Sequence, residues 1–312
     1  MSEFKVASGR SNLELANKVA DCLEIKLSQV SIHNFKDGEI WVKFEENVRG
    51  VDLFIIQPTF PPADNLLELL IMIDAAKRAS ARRVTAVIPY FSYARQDRKD
   101  QPRVAITAKL IANLLTRAGA DRIISIDLHS AQIQGYFDIP LDHLYASPVL
   151  IKALYSFGLA SPIIASPDVG SVKTARSYAR RMGTDLVVVD KRRPAHNLAE
   201  IMHIIGDVKD KNIVIVDDMI DTGNTFINCA DAIKNAGAKD IVGVCVHPVF
   251  SSNAFARIVA NDAIKKMFVT DTIPLNEKSE KIEVVSVAEL LAEAIIRTHD
   301  NRSISSLFEI ER

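Results

Sequence analysis

The sequence predicts an α/β protein built from two duplicated domains, each a mostly parallel sheet with helices on both faces. Three observations support this. Short apolar runs rich in Val and Ile alternate with amphipathic segments along the whole chain. Residues 118–129 (AGADRIISIDLH) and 236–247 (AGAKDIVGVCVH) match at a constant offset of 118. Upstream of each copy lies another buried strand, 83–90 or 211–218, which leads through a polar loop into a helix. Matching flanks around a matching core indicate a duplicated βαβ unit.

Taken in order, Ser11-x-x-Glu14 reads as a capping box that opens a helix to about residue 27. Residues 30–35 and 39–44 flank Lys36-Asp37-Gly38, a hairpin signal. A strand at 52–57 and a helix at 65–80 follow. In the second half, buried strands at 162–168 and 185–190 surround a helix at 171–182. Ser286-x-x-Glu289 opens a last long helix. In parallel sheets of this kind, ligands bind beyond the carboxyl ends of the strands. Asp217, Asp168 and His129 all fall at that edge.

The chain has 312 residues, enough for two ordinary domains, and its 48% hydrophobic content can fill a core in each. The boundaries expected are 1–145 and 146–299, with the tail 300–312 packing back on the first domain. A formal net charge of -1 argues against a generic nucleic-acid or anionic-membrane binder. The start MSEFKVASGR lacks the apolar core of a signal peptide, and no apolar run reaches membrane-spanning length, so a soluble cytoplasmic protein is expected. Cys22, Cys229 and Cys245 lack metal-site spacing, and the last two sit in apolar patterns as reduced core residues.

The most telling stretch is Val214–Thr225, VIVDDMIDTGNT. A buried strand ends in paired carboxylates and turns through Thr222-Gly223 into a helix. Backbone N–H groups at such a turn, beside a helix N-terminus, bind phosphate. Asp217 and Asp218 suit sugar hydroxyls or a hydrated magnesium ion instead. A phosphate and a polyol side by side make a sugar-phosphate site. The other reading is an ordinary βα turn with Asp221 as N-cap, but a cap explains one Asp and not three. The usual phosphate loops are absent, since the chain has no Gly-Lys pair and no two glycines two apart.

Other strand ends carry charge. The loop 90–103 (YFSYARQDRKDQPR) brings Arg95, Arg98, Lys99 and Arg103 to the position of the phosphate turn in the other half. It is either a solvated surface or a polyphosphate cradle, and Arg can hold two oxygens at once. Residues 190–197 (DKRRPAHN) are either a solvated hairpin or a cationic flap that neutralises charge in a transition state. His129 and Asp168 are either structural strand ends or a magnesium and nucleotide-phosphate pair. For Asp37-Gly38-Glu39 the residues alone favour a hairpin turn. No zinc cluster and no G-x-S-x-G elbow occur.

Together these motifs resemble the ribose-phosphate pyrophosphokinase family, the phosphoribosyl pyrophosphate (PRPP) synthetases, of the phosphate-activated bacterial type. The resemblance is carried by FKDGEIWVKFEENVRG, IPYFSYARQDRK, SIDLHSAQIQGYFDIP, SPDVGSVKTAR, DKRRPAHN and VDDMIDTGNT, and spans Ala7 to Glu309. It implies that the two duplicated domains are phosphoribosyltransferase-like, and it implies transfer of the diphosphoryl group of ATP to the anomeric hydroxyl of ribose 5-phosphate, giving PRPP and AMP. Phe35, Asp37, Gly38 and Glu39 would bind adenosine from a neighbouring subunit. Arg95 and Gln96 would contact the nucleotide, with Arg98 and Lys99 near its phosphates. His129 and Asp168 would belong to the Mg2+-ATP site.

By the same resemblance, Asp217 and Asp218 would face the ribose hydroxyls, while Asp221, Thr222, Gly223, Asn224 and Thr225 would cradle the 5-phosphate. Lys191 and Arg193 would act from the flap, Arg193 also binding the ribose phosphate. Asn224 departs from the Gly common in this loop, but Asn tolerates a left-handed backbone and the nest is expected to survive. Regulation implied in the same way comprises a homohexamer of dimers, activation by inorganic phosphate and inhibition by ADP. The residues for the ADP site would be Arg49, Ser303, Ser305 and Phe308. Two competing readings are a phosphoribosyltransferase, which releases pyrophosphate from PRPP, and a regulatory paralogue that has lost catalysis.

Overall fold

The structure, a computed structural model, describes residues 4–192 and 201–308. These fall into two compact units. The first holds 4–146, 272–274 and 286–308, and the second holds 147–192, 201–271 and 275–285.

The first unit begins with β1 (Phe4–Ser8), α1 (Leu13–Cys22), a separate hairpin of β2 (Val30–Asn34) and β3 (Ile40–Phe44), and β4 (Asp52–Ile56). Next come α2 (Asp64–Arg78), β5 (Arg83–Ile88), α3 (Thr107–Ala118), β6 (Arg122–Ile126) and β7 (Leu141–Leu144). The strands pair in parallel in the order β1-β4-β5-β6-β7. Each new strand is added on the same side, so this sheet never reverses. All five residues of β4 (DLFII) are buried, as expected of a parallel strand covered on both faces. On one face Leu53, Ile55 and Ile88 pack with Leu69 and Ile73 of α2 and Leu115 of α3.

The second unit contains α4 (Ser147–Phe157), β8 (Ile163–Ser166), α5 (Val172–Met182), β9 (Leu186–Arg192), β10 (Ile201–Ile205) and β11 (Ile213–Ile220). It continues with α6 (Asn224–Asn235), β12 (Ile241–Pro248), α7 (Ala254–Ala260), β13 (Lys266–Thr270) and β14 (Ile282–Val285). The strand order is β10-β9-β8-β11-β12-β13-β14, with only β10 antiparallel. The chain first winds outward from β8 to β9. It then returns to place β11 on the other side of β8, and the winding direction reverses there. The β5-α3-β6 and β11-α6-β12 segments are the same parallel crossover, in agreement with the internal repeat.

Three details depart from the sequence reading. The cap of α1 is Asn12, whose side chain accepts from Leu15 N–H at 3.1 Å, while Ser11 Oγ donates to Gln57 Oε1 at 2.6 Å. The same helix stops at Cys22 rather than near residue 27, because Glu24 turns left-handed (φ 55) and Ile25 N–H reaches back to the Ala20 carbonyl. Finally, α8 (Ala288–His299) lies in the first unit, although the sequence placed everything to 299 in the second domain. Its partner is the fully buried Asp52. That carboxylate accepts from Arg83, lies 2.8 Å from His299 Nδ1, and needs both to offset its desolvation.

Candidate active site

In the second unit the site grows from neighbouring strands at the point where the winding reverses. An open α/β sheet leaves its crevice at this point, outside the carboxyl ends. β8 delivers Asp168 and β11 delivers Asp217 and Asp218. Ser171, which the sequence reading passed over, bridges the two strand ends. Its N–H donates to Asp168 Oδ1 at 2.9 Å, and its hydroxyl donates to Asp217 Oδ1 at 2.8 Å. Asp217 Oδ1 also accepts from the Asp218 N–H at 3.0 Å. Burial pushes the Asp217 carboxyl well above the usual carboxylate range, and the charge of Asp218 beside it adds to the shift.

Beyond the acidic pair the chain turns through Asp221, Thr222 and Gly223 into α6. Gly223 is the N-cap, with φ 78, and no side chain caps the helix. The ordinary capped turn is therefore not what forms. Asp221 instead accepts from the Ser251 hydroxyl. The left-handed residue is Gly223, so Asn224 is spared that strain and begins the helix. A Cβ on Gly223 would also sit 3.4 Å from the Ala254 Cβ. Arg257 of α7 closes the turn from outside. Its Nη1 donates to the Thr222 carbonyl at 3.1 Å and to Asn224 Oδ1 at 2.7 Å. Sequence alone gave no signal for Ser251 or Arg257, because both belong to a later loop and helix.

β9 ends at Lys191 and Arg192, which pair with Met202 and Ile201 of β10, so the flap is rooted in an antiparallel hairpin. Arg193 lies outside the described residues.

In the first unit, Phe35, Asp37, Gly38 and Glu39 form the exposed tip of the β2–β3 hairpin. The Phe35 N–H bonds the Glu39 carbonyl at 2.8 Å, the Glu39 N–H bonds Asp37 Oδ1 at 3.1 Å, and Gly38 has φ 99. Phe35 is 50% exposed, which leaves its ring open to a planar ligand. Arg95, Gln96, Arg98 and Lys99 are exposed on the loop after β5. That loop is anchored by the buried Asp97, whose carboxylate accepts from Gln132 at 2.6 Å and whose carbonyl accepts from the Tyr136 hydroxyl. His129 is exposed just beyond β6. Ser303 and Ser305 line a cavity of ≈ 430 Å³ with Arg122, Gln134, Asp142 and Arg302. Arg49 is exposed in a turn outside that lining, and Phe308 closes the short 3-10 helix Ser305–Phe308.

A βα turn with no side-chain cap, beside paired carboxylates at a sheet reversal, places this chain among the open α/β proteins whose strand ends form a ligand crevice. Residues 4–119 match the N-terminal domain of ribose phosphate pyrophosphokinase, and residues 194–309 match the phosphoribosyl synthetase-associated domain. A ribose-phosphate pyrophosphokinase of Chlorobaculum tepidum is 57% identical over 98% of this chain and 95% of its own. That of Wolinella succinogenes is 52% identical over 99% of this chain and 100% of its own. The crystal structure of phosphoribosylpyrophosphate synthetase from Mycobacterium smegmatis superimposes with a TM-score of 0.91 at 38% identity, covering 96% of this chain and 100% of that one. The chain belongs to the ribose-phosphate pyrophosphokinase family. Its reaction is diphosphoryl transfer from ATP to ribose 5-phosphate, giving PRPP and AMP.

Proposed function

We propose that the 217–225 segment is the ribose 5-phosphate site of this enzyme and that the exposed hairpin tip and basic loop of the first unit bind ATP. The observation that carries this reading is the uncapped, left-handed turn at Gly223, braced by Ser251 and Arg257. Backbone N–H groups of Thr222, Gly223, Asn224 and Thr225 meet the 5-phosphate, and Asp221 holds the turn in shape. Asp217 and Asp218 accept from the ribose 2- and 3-hydroxyls, which orients the anomeric hydroxyl. Phe35 packs on adenine, while Asp37 and Glu39 accept from its ribose or amino group. Arg95 and Gln96 hold the nucleotide, and Arg98 and Lys99 offset the charge of its phosphates.

In the reaction the anomeric oxygen attacks the β-phosphorus, the bond between that phosphorus and the α,β-bridging oxygen breaks, and AMP leaves. The proton of the hydroxyl is released. Positioning and charge neutralisation carry such transfers, and Lys191 and Arg193 supply the second from the flap. Asp168 presents carboxylate oxygens held in place by Ser171. Such hard oxygen donors would suit Mg2+, and His129 of the first unit would contact the nucleotide. When bound, the ion lowers the negative charge that the attacking oxygen meets.

Self-association into a homohexamer of dimers would bring the hairpin tip to a neighbouring subunit. α3 exposes Leu110 and Leu114, one turn apart, and α2 exposes Leu67, an apolar surface that assembly would cover. ADP inhibition and phosphate activation are assigned to the cavity at Ser303 and Ser305, which Arg122 and Arg302 also line, Arg122 paired with Asp142 and Arg302 with Asp300; Arg49 and Phe308 join that site on the resemblance alone. The protein works in the cytoplasm. Among the described residues no helix is long and apolar enough to cross a membrane.

A crystal soaked with AMP and ribose 5-phosphate tests the reading. Phosphate density is expected on the N–H groups of 222–225, with the ribose against Asp217 and Asp218. Density for the sugar phosphate elsewhere in the molecule overturns the assignment.

A further inference from the structure

We propose that Arg10 is a positioning residue that ties the buried Glu68 to the tip of the β2–β3 hairpin and so sets the affinity for ATP. The inference rests on the reading that this tip grips the adenosine. The hairpin pairs with no strand of the main sheet. Its base is fixed, because Val30, Ile32, Val42 and Phe44 pack against the core beside α2. Its far end is not, since every residue from His33 to Glu39 is exposed. A lone two-stranded ribbon is marginally stable and twists readily, so packing at the base leaves the direction of the tip loose.

A chain of polar contacts supplies what packing does not. Glu68 of α2 is 2% exposed and Gln57, just beyond β4, is fully buried. Gln57 Nε2 donates to Glu68 Oε1 at 3.0 Å. Arg10 meets the same carboxylate twice, through its backbone N–H at 2.6 Å and its Nε at 2.6 Å. This approach needs Gly9 beside it, where a Cβ would overlap Gln57 and stand 2.8 Å from Glu68 Oε1. With its Nε fixed, the planar guanidinium can point only one way. Its Nη1 then donates to Asn34 Oδ1 at 2.8 Å. Asn34 Nδ2 in turn donates to the Gly38 carbonyl at 2.8 Å, inside the turn between Phe35 and Glu39. A core carboxylate therefore sets the orientation of a surface turn through two side chains.

Steady-state kinetics of the full-length enzyme, with each substrate varied in turn, test the proposal. Asn34 is exposed and linked to Glu68 only through Arg10, so Asn34→Ala is expected to leave Tm unchanged. It should raise KM for ATP about tenfold, the value of a lost hydrogen bond of ordinary strength. KM for ribose 5-phosphate stays at its wild-type value. Arg10→Ala should give the same KM shift with a lower Tm, because Glu68 loses its ion partner. Arg10→Lys, which reaches one group but not both, should give a partial KM shift. Phe35→Ala probes the turn itself. If Phe35→Ala raises KM for ATP but Asn34→Ala and Arg10→Lys do not, Arg10 is only a fold residue and the proposal is overturned. If Phe35→Ala also leaves KM for ATP unchanged, the nucleotide reading of the turn fails and the proposal falls with it.

Discussion

The two units share one crossover, β5-α3-β6 in the first and β11-α6-β12 in the second, yet their sheets wind differently. The first adds β1, β4, β5, β6 and β7 in one direction, whereas the second reverses between β8 and β11. Only the reversal opens a crevice between adjacent strand ends, and there Ser171 bridges Asp168 to Asp217. In the first unit the residues proposed to bind ATP lie instead on an exposed loop and a separate hairpin. The two gripping turns differ in the same sense. Backbone amides that hold a phosphate must have a fixed backbone, and the 221–225 turn is braced by Ser251 and Arg257. A turn that offers side chains to a base needs only the right direction, and the 35–39 turn is open and exposed.

The largest expected effect comes from the β9–β10 hairpin, which has no counterpart in the first unit. Lys191→Ala should lower kcat by about 10²–10³-fold, as for loss of a preorganised charge at a developing anion, with nucleotide affinity little changed. Equilibrium binding of ATP beside single-turnover rates would check it, and near-normal turnover would remove the flap from the chemistry. The two glycine turns give the next contrast. Both Gly223→Ala and Gly38→Ala meet a positive φ, but the first lies in a packed turn at the start of α6 and the second in open space. A misplaced phosphate turn should cost roughly 10²-fold in kcat/KM for ribose 5-phosphate, and the hairpin substitution should leave that parameter near wild type. Equal losses from the two would mean that neither turn is special.

A smaller effect is expected outside the turn. Arg257→Ala removes a brace and no proposed substrate contact, so KM for ribose 5-phosphate should rise about tenfold with kcat preserved. A fall in kcat alone would place Arg257 in the chemistry instead.

The smallest effect is on stability. Asp217 is buried with its pKa raised above the unfolded value, so the folded protein binds that proton more tightly than the unfolded chain does. Its ionisation therefore costs stability progressively as pH rises from about 4 through the folded pKa. Asp217→Asn keeps the acceptor for Ser171 and lifts that cost. Tm should rise above wild type at neutral pH, and the gain should vanish near pH 4. Thermal melts across that range measure it, and a gain that persists in acid would assign the effect to packing.

Much of this was legible along the chain, because the informative signals were local. The repeat, the buried strand running into Asp217-Asp218, and the Thr222-Gly223 turn are contiguous, so periodicity and residue chemistry reveal them. The expected capping box at Ser11 failed because Gln57, far along the chain, competes for that hydroxyl. Likewise Ser286-x-x-Glu289 announced a last helix but not its partner, and Asp52 and Arg83 join that helix to the first unit.

The sequence by itself determined the class of fold, the turn after Asp217-Asp218 and the family, since each is written in neighbouring residues whose chemistry needs no distant partner. Only the tertiary structure decided that the acidic edge stands at a reversal beside Ser171, that Arg257 closes the 222–224 turn, and that Arg10 links Glu68 to the tip of the β2–β3 hairpin. Those facts depend on which strands and helices come to lie side by side. That outcome is set by the burial of many residues at once, with hydrogen bonds formed between groups tens of positions apart.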